Sequence, residues 1–265
     1  MADGNLIDGI NDRREGSTLI ITLVNPDRRN AFTIAMRRRI AALLDEAYSD
    51  DGVRAIILRG EGGHFCAGAD LTGVGGGEPP SPTQFRERIT DSQRFVKAIA
   101  LGPKPIIAAV EGTAVGAGLS IAAACDLVVA AEDARFGIAF TSLGLMPDLG
   151  LIYTLGQRVG KQVARRMIYL SEKLNGTQAV AAGLADRIAP SGCALDVALE
   201  LATALAGVGP LALAATKSAL NGRLESIEDA LRLELDVLPR IAGSADFREG
   251  VAAFREKRPP QFTGR

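Results

Sequence analysis

The N-terminal part of the chain alternates between short apolar runs and longer segments in which apolar residues recur at helical spacing. Short apolar runs bounded by glycine, proline or polar residues predict buried strands. Such runs lie at 19–23, 53–58, 105–110 and 126–130. Amphipathic segments at 33–48 and 85–101 predict helices, and Thr33 has a side chain suited to cap the first of them.

Strands, turns and helices recur in this order as far as residue 188, which is typical of an α/β fold with its turns stacked at one end of the strands. Beyond that point, residues 195–254 consist almost wholly of helix formers. We therefore predict a core that carries the functional site over residues 1–194, and a helical region over residues 195–265 that mediates assembly. Gly73–Pro82 is rich in glycine and proline, and we interpret it as a mobile flank of the site.

Length and composition allow a large hydrophobic core. Of 265 residues, 47% are hydrophobic and 23% are charged, as in an ordinary globular protein. The chain has 30 Lys and Arg against 31 Asp and Glu, and this balanced charge argues against a nucleic-acid partner. Two short basic runs, 37–39 and 255–258, are interpreted as solvated helix faces.

Cysteine usage and hydropathy bear on the location of the protein. The 3 cysteines match no metal-ligand spacing, which favours reduced thiols and no bound metal. No apolar run reaches the roughly 18 residues of a membrane span. Residues 1–9 lack the basic and then apolar pattern of a secretory signal. The sequence therefore predicts a soluble, cytoplasmic protein that does not enter a membrane.

Two turns rich in small residues follow predicted strands. The first is HFCAGADL at 64–71, and the second is EGTAVGAGL at 111–119, which opens a helix. Small residues let a backbone approach a ligand closely, and a helix N-terminus presents unpaired N–H donors. The two turns can therefore converge on one carbonyl oxygen and form an oxyanion hole. The alternative is that both are ordinary structural turns, and neither contains a phosphate-binding motif.

These turns resemble the signatures of the crotonase (enoyl-CoA hydratase/isomerase) superfamily. The resemblance rests on FCAGADL at 65–71 and IIAAVEGTAVGAGLS at 106–120, and it extends over essentially the whole chain. It implies a crotonase-like spiral of ββα units with a C-terminal helical oligomerisation region. It also implies an acyl-CoA thioester as substrate, assembly as a homotrimer or a dimer of trimers, and no cofactor beyond the coenzyme A of the substrate.

The resemblance also implies the roles of individual residues. The oxyanion donors would be the backbone N–H groups of Ala69 and Ala117. Arg29 and Lys257 would reach the phosphates of coenzyme A. The remaining residues implied in binding coenzyme A or the substrate are Ala31, Ala67, Asp70, Leu71, Gly116, Ser120 and Phe140.

The acidic residues distinguish between reactions within the superfamily. Hydratases of this family typically use two glutamates, and the matching positions here hold Ser120 and Phe140, which cannot do paired acid–base work. Asp148, in GLMPDLG at 144–150, resembles the catalytic aspartate of the isomerase branch, which includes dienoyl-CoA and epoxyphenylacetyl-CoA isomerases. Without the resemblance, Asp148 after Pro147 would be interpreted as a helix N-cap.

The sequence is also compatible with other functions. A hydratase could use water held by Ser120 and Asp148, and a non-catalytic member could bind acyl-CoA or RNA. A hydrolase built on Ser120 and His64 lacks a nucleophile elbow and an orienting acid. His64 and Cys66 are interpreted as shaping and packing the first turn, and Glu111 as a residue at the end of a strand.

Overall fold

The computed structural model describes residues 5–72, 81–222 and 224–265. In these residues a seven-stranded sheet carries helices on both faces, and a second sheet has three strands. The strands are β1 (Asn5–Ile7), β2 (Ile10–Glu15), β3 (Thr18–Leu23), β4 (Ala55–Gly60), β5 (Ile106–Val110), β6 (Thr113–Val115), β7 (Leu127–Ala131), β8 (Arg135–Gly137), β9 (Leu174–Asn175) and β10 (Arg187–Ala189). The α-helices are α1 (Ile34–Ser49), α2 (Pro82–Leu101), α3 (Ala117–Ala124), α4 (Leu151–Leu170), α5 (Gly176–Ala181), α6 (Ala194–Ala206), α7 (Pro210–Asn221), α8 (Ile227–Ala242) and α9 (Ala245–Glu256).

The large sheet is mixed, with the order β1-β2-β3-β4-β5-β7-β10. Strands β1 to β3 are antiparallel, and every pairing from β3 to β10 is parallel. The small sheet has the order β6-β8-β9. The carboxyl ends of parallel strands meet at one edge, so the turns that follow β4 and β5 are neighbours in space. The predicted flank Gly73–Pro82 lies, as far as residue 80, outside the described residues.

Side chains of the central strands alternate between two apolar layers, as strand geometry requires. On β4, Ile56 and Leu58 face the layer that includes α1 to α5, whereas Ala55 and Ile57 face α6. Helix α6 presents a stripe of small residues to the sheet, at Ala194, Ala198 and Ala202. The helix that opens the predicted C-terminal region therefore covers the second face of the sheet, and the division after residue 194 stays a prediction.

The caps of the first two helices follow from local sequence. As predicted, Thr33 caps α1, and its Oγ1 accepts the N–H of Met36 at 3.1 Å. Helix α2 begins at Pro82, before its predicted start, because Ser81 and Gln84 form a reciprocal capping box and proline suits a first helical turn. These helices later supply two walls of the functional site.

Helix α7 is tied to the amino end of the sheet by one buried lysine. Lys217 donates to Asp126 Oδ2 at 2.7 Å, to the carbonyl of Ile99 at 2.9 Å and to that of Lys104 at 2.8 Å. Its side chain is only 4% exposed and that of Asp126 is 19% exposed. All three donor hydrogens of the ammonium group are therefore used.

Among the described helices, none is long and apolar enough to cross a membrane on its own. Only α6 and α7 taken together, across a bend of 113°, reach that length and composition.

Candidate active site

The turn after β4 pairs with the short strand β6. Cys66 bridges Ala114: its N–H donates to the carbonyl of Thr113 at 2.8 Å, and its carbonyl accepts from Val115 at 3.0 Å. His64 supports the same junction, because its Nδ1 accepts the N–H of Thr113 at 3.2 Å. This pairing holds the two glycine-rich turns side by side.

The first turn also pairs with the entry to α1, and this pairing fixes the direction of the Ala69 backbone. Ala69 bridges Phe32 in parallel: the N–H of Phe32 donates to Gly68 at 2.7 Å, and the N–H of Asp70 donates to Phe32 at 3.0 Å. In a parallel pair, one residue forms both hydrogen bonds, here Phe32 with the two neighbours of Ala69. The residue opposite it, Ala69, directs its own N–H and C=O away from that strand. The N–H of Ala69 therefore points away from Phe32.

The N–H of Ala117 lies at the beginning of α3, where no carbonyl of the helix can accept it. Gly116, the N-cap, has φ 56° and ψ −120°, a conformation accessible in practice only to glycine. A side chain on Gly118 would collide with the carbonyl of Cys66. The glycines of the second turn thus allow α3 to begin directly against the first turn.

The two turns approach to van der Waals distance and share one cavity. A Cβ built on Gly68 would lie 3.2 Å from the carbonyl oxygen of Val115 and 3.9 Å from the nitrogen of Ala117. Ala69 and Ala117 both line a cavity of about 440 Å³, which we call the catalytic cavity. Its other walls come from the start of α1, from α2 and from the segment before α4.

Asp148 lies in the wall of the catalytic cavity that precedes α4. The N-cap of α4 is Gly150, and Leu149 and Gly150 have φ 51° and 74°. Asp148 Oδ1 is buried and has no hydrogen-bond partner among the described residues, while the carbonyl of Asp148 accepts the N–H of Leu151 at 3.1 Å. The N-cap interpretation of Asp148 is therefore wrong, because two left-handed residues separate its carboxyl group from the helix.

The surroundings of Asp148 suit it to receive a proton. Burial raises the pKa of its carboxyl group above the ordinary value, while the charge of Arg37 and a backbone hydrogen bond act in the opposite direction. A carboxylate with a raised pKa is a stronger base, and a nearby positive charge favours its ionised form.

A larger, apolar cavity of about 690 Å³ adjoins the catalytic cavity. The two cavities share Ser92, Asp148 and Leu149 in their walls. Six of the side chains around the larger cavity are Phe85, Ile89, Phe140, Leu145, Met146 and Tyr153. Asp148 therefore lies where a polar reaction space opens into an apolar space that can hold a hydrocarbon or aromatic group.

Several predicted site residues lie at the edges of the first turn. Ala67 donates its N–H to the carbonyl of Arg29 at 2.9 Å, and the N–H of Ala31 donates to Arg28 at 3.1 Å. The side chains of Arg29 and Leu71 are exposed. These residues do not line the catalytic cavity themselves, but they are neighbours in sequence of Phe32, Ala69 and Asp70, which do.

Asp70 lines the catalytic cavity, but its carboxylate is engaged. It pairs with Arg28 at 3.2 Å and accepts the N–H of Thr72 at 2.9 Å, and the hydrogen bonds with Thr72 are the main reason that its pKa is lowered. Asp70 is therefore a stable anion that stiffens the turn, whereas Asp148 has an unbonded oxygen.

Ser120 and Phe140 lie in different surroundings. Ser120 is fully buried, and its hydroxyl donates to the carbonyl of Gly116 at 3.2 Å. It lines neither cavity, and its hydroxyl is bonded within the helix, so the substrate contact of Ser120 stays a prediction. Phe140 is buried in the wall of the apolar cavity.

Lys257 is not brought to the catalytic cavity within this chain. It follows α9, and the tail after it packs against Arg54, which donates to the carbonyl of Phe262 at 3.1 Å. Arg54 precedes β4, whereas Ala69 follows β4, so the tail lies at the opposite end of that strand. Lys257 does not line the catalytic cavity of the single chain, and its contact with coenzyme A phosphates stays a prediction.

Sequence reasoning missed Arg37. The basic run 37–39 does not form one solvated face: the side chains of Arg37 and Arg39 are 12% and 19% exposed, whereas that of Arg38 is 72% exposed. Consecutive helical residues point about 100° apart, so only one of the three faces outward. Arg37 follows the buried Met36 on α1 and lines the catalytic cavity.

Two other polar residues have structural roles. Glu111 accepts the N–H groups of Gly192 at 3.0 Å and of Ala194 at 2.7 Å, which fixes the start of α6. Cys66 is fully buried, and burial raises the pKa of its thiol to about 12, so that it is not a nucleophile at neutral pH. Both observations agree with their predicted roles.

Comparisons with known proteins cover nearly the whole chain. The sequence profile of the family described as enoyl-CoA hydratase/isomerase matches residues 13–265. The 2,3-dehydroadipyl-CoA hydratase of Escherichia coli (strain K12) is 37% identical over 253 residues, covering 95% of this chain and 97% of that protein. The 1,2-epoxyphenylacetyl-CoA isomerase of the same organism is 37% identical over 256 residues, with the same coverage of 95% and 97%.

Solved structures match the fold. An enoyl-CoA hydratase from Polaromonas sp. JS666 superposes with a TM-score of 0.91 at 35% identity, covering 96% of this chain and 99% of that one. The expected ββα spiral is thereby confirmed as the fold, and the family acts on acyl-CoA thioesters. The chain belongs to the enoyl-CoA hydratase/isomerase family, and it is an enzyme of that family.

Proposed function

We propose that the protein is a CoA-thioester isomerase that moves a carbon–carbon double bond in an enoyl-CoA, with Asp148 as the proton-transfer group. The observation that carries this proposal is that Asp148, which has a buried carboxyl oxygen without a hydrogen-bond partner among the described residues, lines the same cavity as Ala69 and Ala117. The positions where hydratases typically carry glutamates hold Ser120 and Phe140, neither of which can exchange a proton with a substrate.

The reaction needs one base and one oxyanion site. The thioester carbonyl oxygen accepts hydrogen bonds from the N–H groups of Ala69 and Ala117. Asp148 removes a proton from the carbon next to the thioester carbonyl, and the electron pair of the broken C–H bond forms an enolate whose negative charge lies on that oxygen. Asp148 then returns the proton to the far carbon of the former double bond. The double bond ends one position nearer the thioester, and no atom is gained or lost.

The two cavities bind different parts of the substrate. The thioester lies in the catalytic cavity, and the rest of the acyl group extends past Asp148 into the apolar cavity, where it displaces water that would otherwise react with the intermediate. The coenzyme A part crosses the edge of the first turn, near Arg29, Ala31 and Leu71. Coenzyme A enters with the substrate, and proton transfer of this kind requires no further cofactor.

A hydratase is the principal rival, because one relative with 37% identity is named as a hydratase. Hydration requires a water molecule activated by a second polar group beside Asp148. The hydroxyl of Ser120 is buried and bonded within α3, which does not favour that role. A non-catalytic acyl-CoA-binding or RNA-binding member would leave the unbonded Asp148 oxygen without a purpose.

Assembly as a homotrimer or a dimer of trimers stays part of the proposal, as does a cytoplasmic location. The proposed assembly is supported by an apolar stripe on α8 that is exposed in the single chain. The stripe consists of Ile227, Leu231, Leu235 and Leu238. Sedimentation of the full chain would measure the oligomeric state.

The test of the proposed function is a panel of acyl-CoA substrates that differ only in the acyl group. The 3-enoyl, dienoyl and aryl-epoxide CoA thioesters are incubated separately with the enzyme, and the products are separated by chromatography. We expect isomers of unchanged mass from at least one of these classes. Tight binding of all of them without turnover would overturn the enzymatic role.

Replacement of Gly116 by Ala is expected to lower turnover about 100-fold or more, the cost of losing one oxyanion donor. The added side chain is incompatible with φ 56° and ψ −120°, so the backbone must move and carry the N–H of Ala117 with it. Steady-state turnover of the isomerised substrate measures the effect.

The matched control for this change is Gly16→Ala. Gly16 has the same φ of 56°, in the turn between β2 and β3, and there is open space where its Cβ would lie. The change places an alanine at the same positive φ in a turn that does not line the cavity. Equal losses of turnover in both variants would contradict a specific role for the second turn.

A further inference from the structure

Two residues that line the catalytic cavity each carry one buried polar atom without a hydrogen-bond partner among the described residues. One atom is Asp148 Oδ1, on the segment before α4, and the other is Arg37 Nε, on α1. An unpaired carboxylate oxygen and an unpaired guanidinium N–H are complementary in charge and in hydrogen-bonding capacity. Buried polar groups without partners are costly, so their joint presence at a reaction centre points to a role in the reaction.

The guanidinium of Arg37 is fixed in place by α2. Its Nη2 donates to Asp91 Oδ2 at 2.8 Å, and its Nη1 donates to the hydroxyl of Ser92. The hydroxyl of Ser92 in turn donates to the carbonyl of Arg88 at 2.9 Å. These hydrogen bonds hold the guanidinium of Arg37 against α2, in the cavity that Asp148 also lines.

We propose that Arg37 is a positioning residue for the reaction: its fixed guanidinium keeps the Asp148 carboxyl group ionised in the substrate-free enzyme, so that it is ready to act as a base. This inference rests on the proposed function of Asp148. It assigns to Arg37 no contact with the substrate.

No other cation in the described walls of the catalytic cavity can do the same. Asp70 is an anion there, and it is already bound to Arg28 and Thr72. Lys161 and Tyr153 belong to the apolar cavity on α4, and Lys161 is exposed to solvent. The anion nearest to Arg37 is Asp91, which cancels part of its charge.

Two opposing influences decide how the loss of Arg37 changes the pKa of Asp148. Removal from water favours the neutral form of a carboxyl group, and a nearby positive charge favours the ionised form. Burial of Asp148 acts in the first sense and Arg37 in the second. If the charge at position 37 is lost, the carboxyl group of Asp148 keeps its proton up to a higher pH. At acidic pH a smaller fraction of the enzyme then has Asp148 in the ionised form that acts as the base.

The test compares the pH profile of kcat/KM in three variants. Arg37→Met is expected to move the acid limb to higher pH by about one pH unit or more, the usual effect of one nearby opposite charge. Arg37→Lys, which keeps the charge, is expected to restore most of the wild-type profile. Arg38→Met is the matched control, because Arg38 also approaches Asp91, at 3.7 Å, but its side chain is 72% exposed.

The profile separates a positioning role from a structural one. A merely structural Arg37 would lower activity at every pH and leave the acid limb where it is. An unmoved limb in Arg37→Met, or an equal movement in Arg38→Met, would overturn the proposal. Asp91→Asn should move the limb in the opposite direction, because it removes the anion that partly cancels the charge of Arg37.

A second measurement does not depend on turnover. Carbon-13 NMR of the aspartate carboxyl carbons follows the titration of Asp148 in the free enzyme, and the signal is assigned by its loss in Asp148→Asn. We expect its midpoint to rise in Arg37→Met. If the midpoint rises but Asp148→Asn retains full activity, Arg37 acts on Asp148 as proposed and the proposed function is the part that fails. If it does not rise, the inference about Arg37 fails alone.

Discussion

Replacement of Asp148 by Asn is expected to lower double-bond isomerisation by a factor of about 100 to 10,000, the range typical for the loss of a general acid–base group. The amide has nearly the same shape, but it cannot take a proton from carbon and return it. Phe140, Leu149 and the two turns are unchanged, so the substrate should still bind. Turnover of a 3-enoyl-CoA measures the first effect, and calorimetry with an unreactive acyl-CoA measures the second.

The control for this variant is Asp133→Asn, the same chemical change at an exposed residue between β7 and β8. It should leave both turnover and binding unchanged. An Asp148→Asn enzyme that works within a few-fold of wild type would show that another group moves the proton. A variant that loses binding together with turnover would assign Asp148 a role in holding the substrate.

Replacement of Lys217 by Met is expected to lower the free energy of unfolding by about 3–5 kcal/mol, as when one partner of a buried ion pair is removed. Asp126 would lose its cationic partner in a mostly buried site, and the carbonyls of Ile99 and Lys104 would each lose a donor. Burial already raises the pKa of Asp126, and Lys217 is the first of the groups that lower it. Loss of the lysine therefore raises that pKa further.

Denaturant unfolding at one fixed protein concentration measures this effect, because the stability of an oligomer depends on concentration. Lys97→Met is the control, since Lys97 is exposed on α2 and its loss should cost less than about 0.5 kcal/mol. In the double variant with Asp126→Asn, the cost should be smaller than the sum of the two single changes. If Lys217→Met were as stable as Lys97→Met, Lys217 would not be the anchor of α7.

Most of the large sheet could be predicted from the sequence, because its strands are buried on both faces. The runs at 19–23 and 53–58 are apolar at nearly every position, as a strand covered on both sides requires. Strand β2, with the sequence INDRRE, was missed because only its first residue is buried and four of its six residues are charged. The three-stranded sheet was missed because strands of two or three residues leave no periodic pattern.

The candidate site was predictable where backbone conformation determines it, and less so where side chains meet across the fold. Gly116 and Gly118 are glycines for steric reasons, so the second turn could be predicted from residue type alone. The place of Arg37 in the site could not be predicted from the sequence, because its burial depends on how α1 lies against α2. Ser120 is inside α3 and bonded to its own helix, which a motif position does not reveal.

Lys257 illustrates a further limit. A motif near the C-terminus can correspond in sequence while the tail that carries it packs at the other end of the sheet. Which cavity a terminal residue reaches depends on tertiary packing and assembly, and neither follows from local pattern.

The central claim is that Asp148 moves a proton on the substrate and adds no water. Its most direct test supplies the enzyme with a 3-enoyl-CoA and, separately, with the corresponding 2-enoyl-CoA, both in oxygen-18-labelled water, and determines the product masses. We expect the 3-enoyl-CoA to become a 2-enoyl-CoA of unchanged mass that contains no label. The claim would be contradicted if the 3-enoyl-CoA remained unchanged while the 2-enoyl-CoA gained one labelled water to give a 3-hydroxyacyl-CoA.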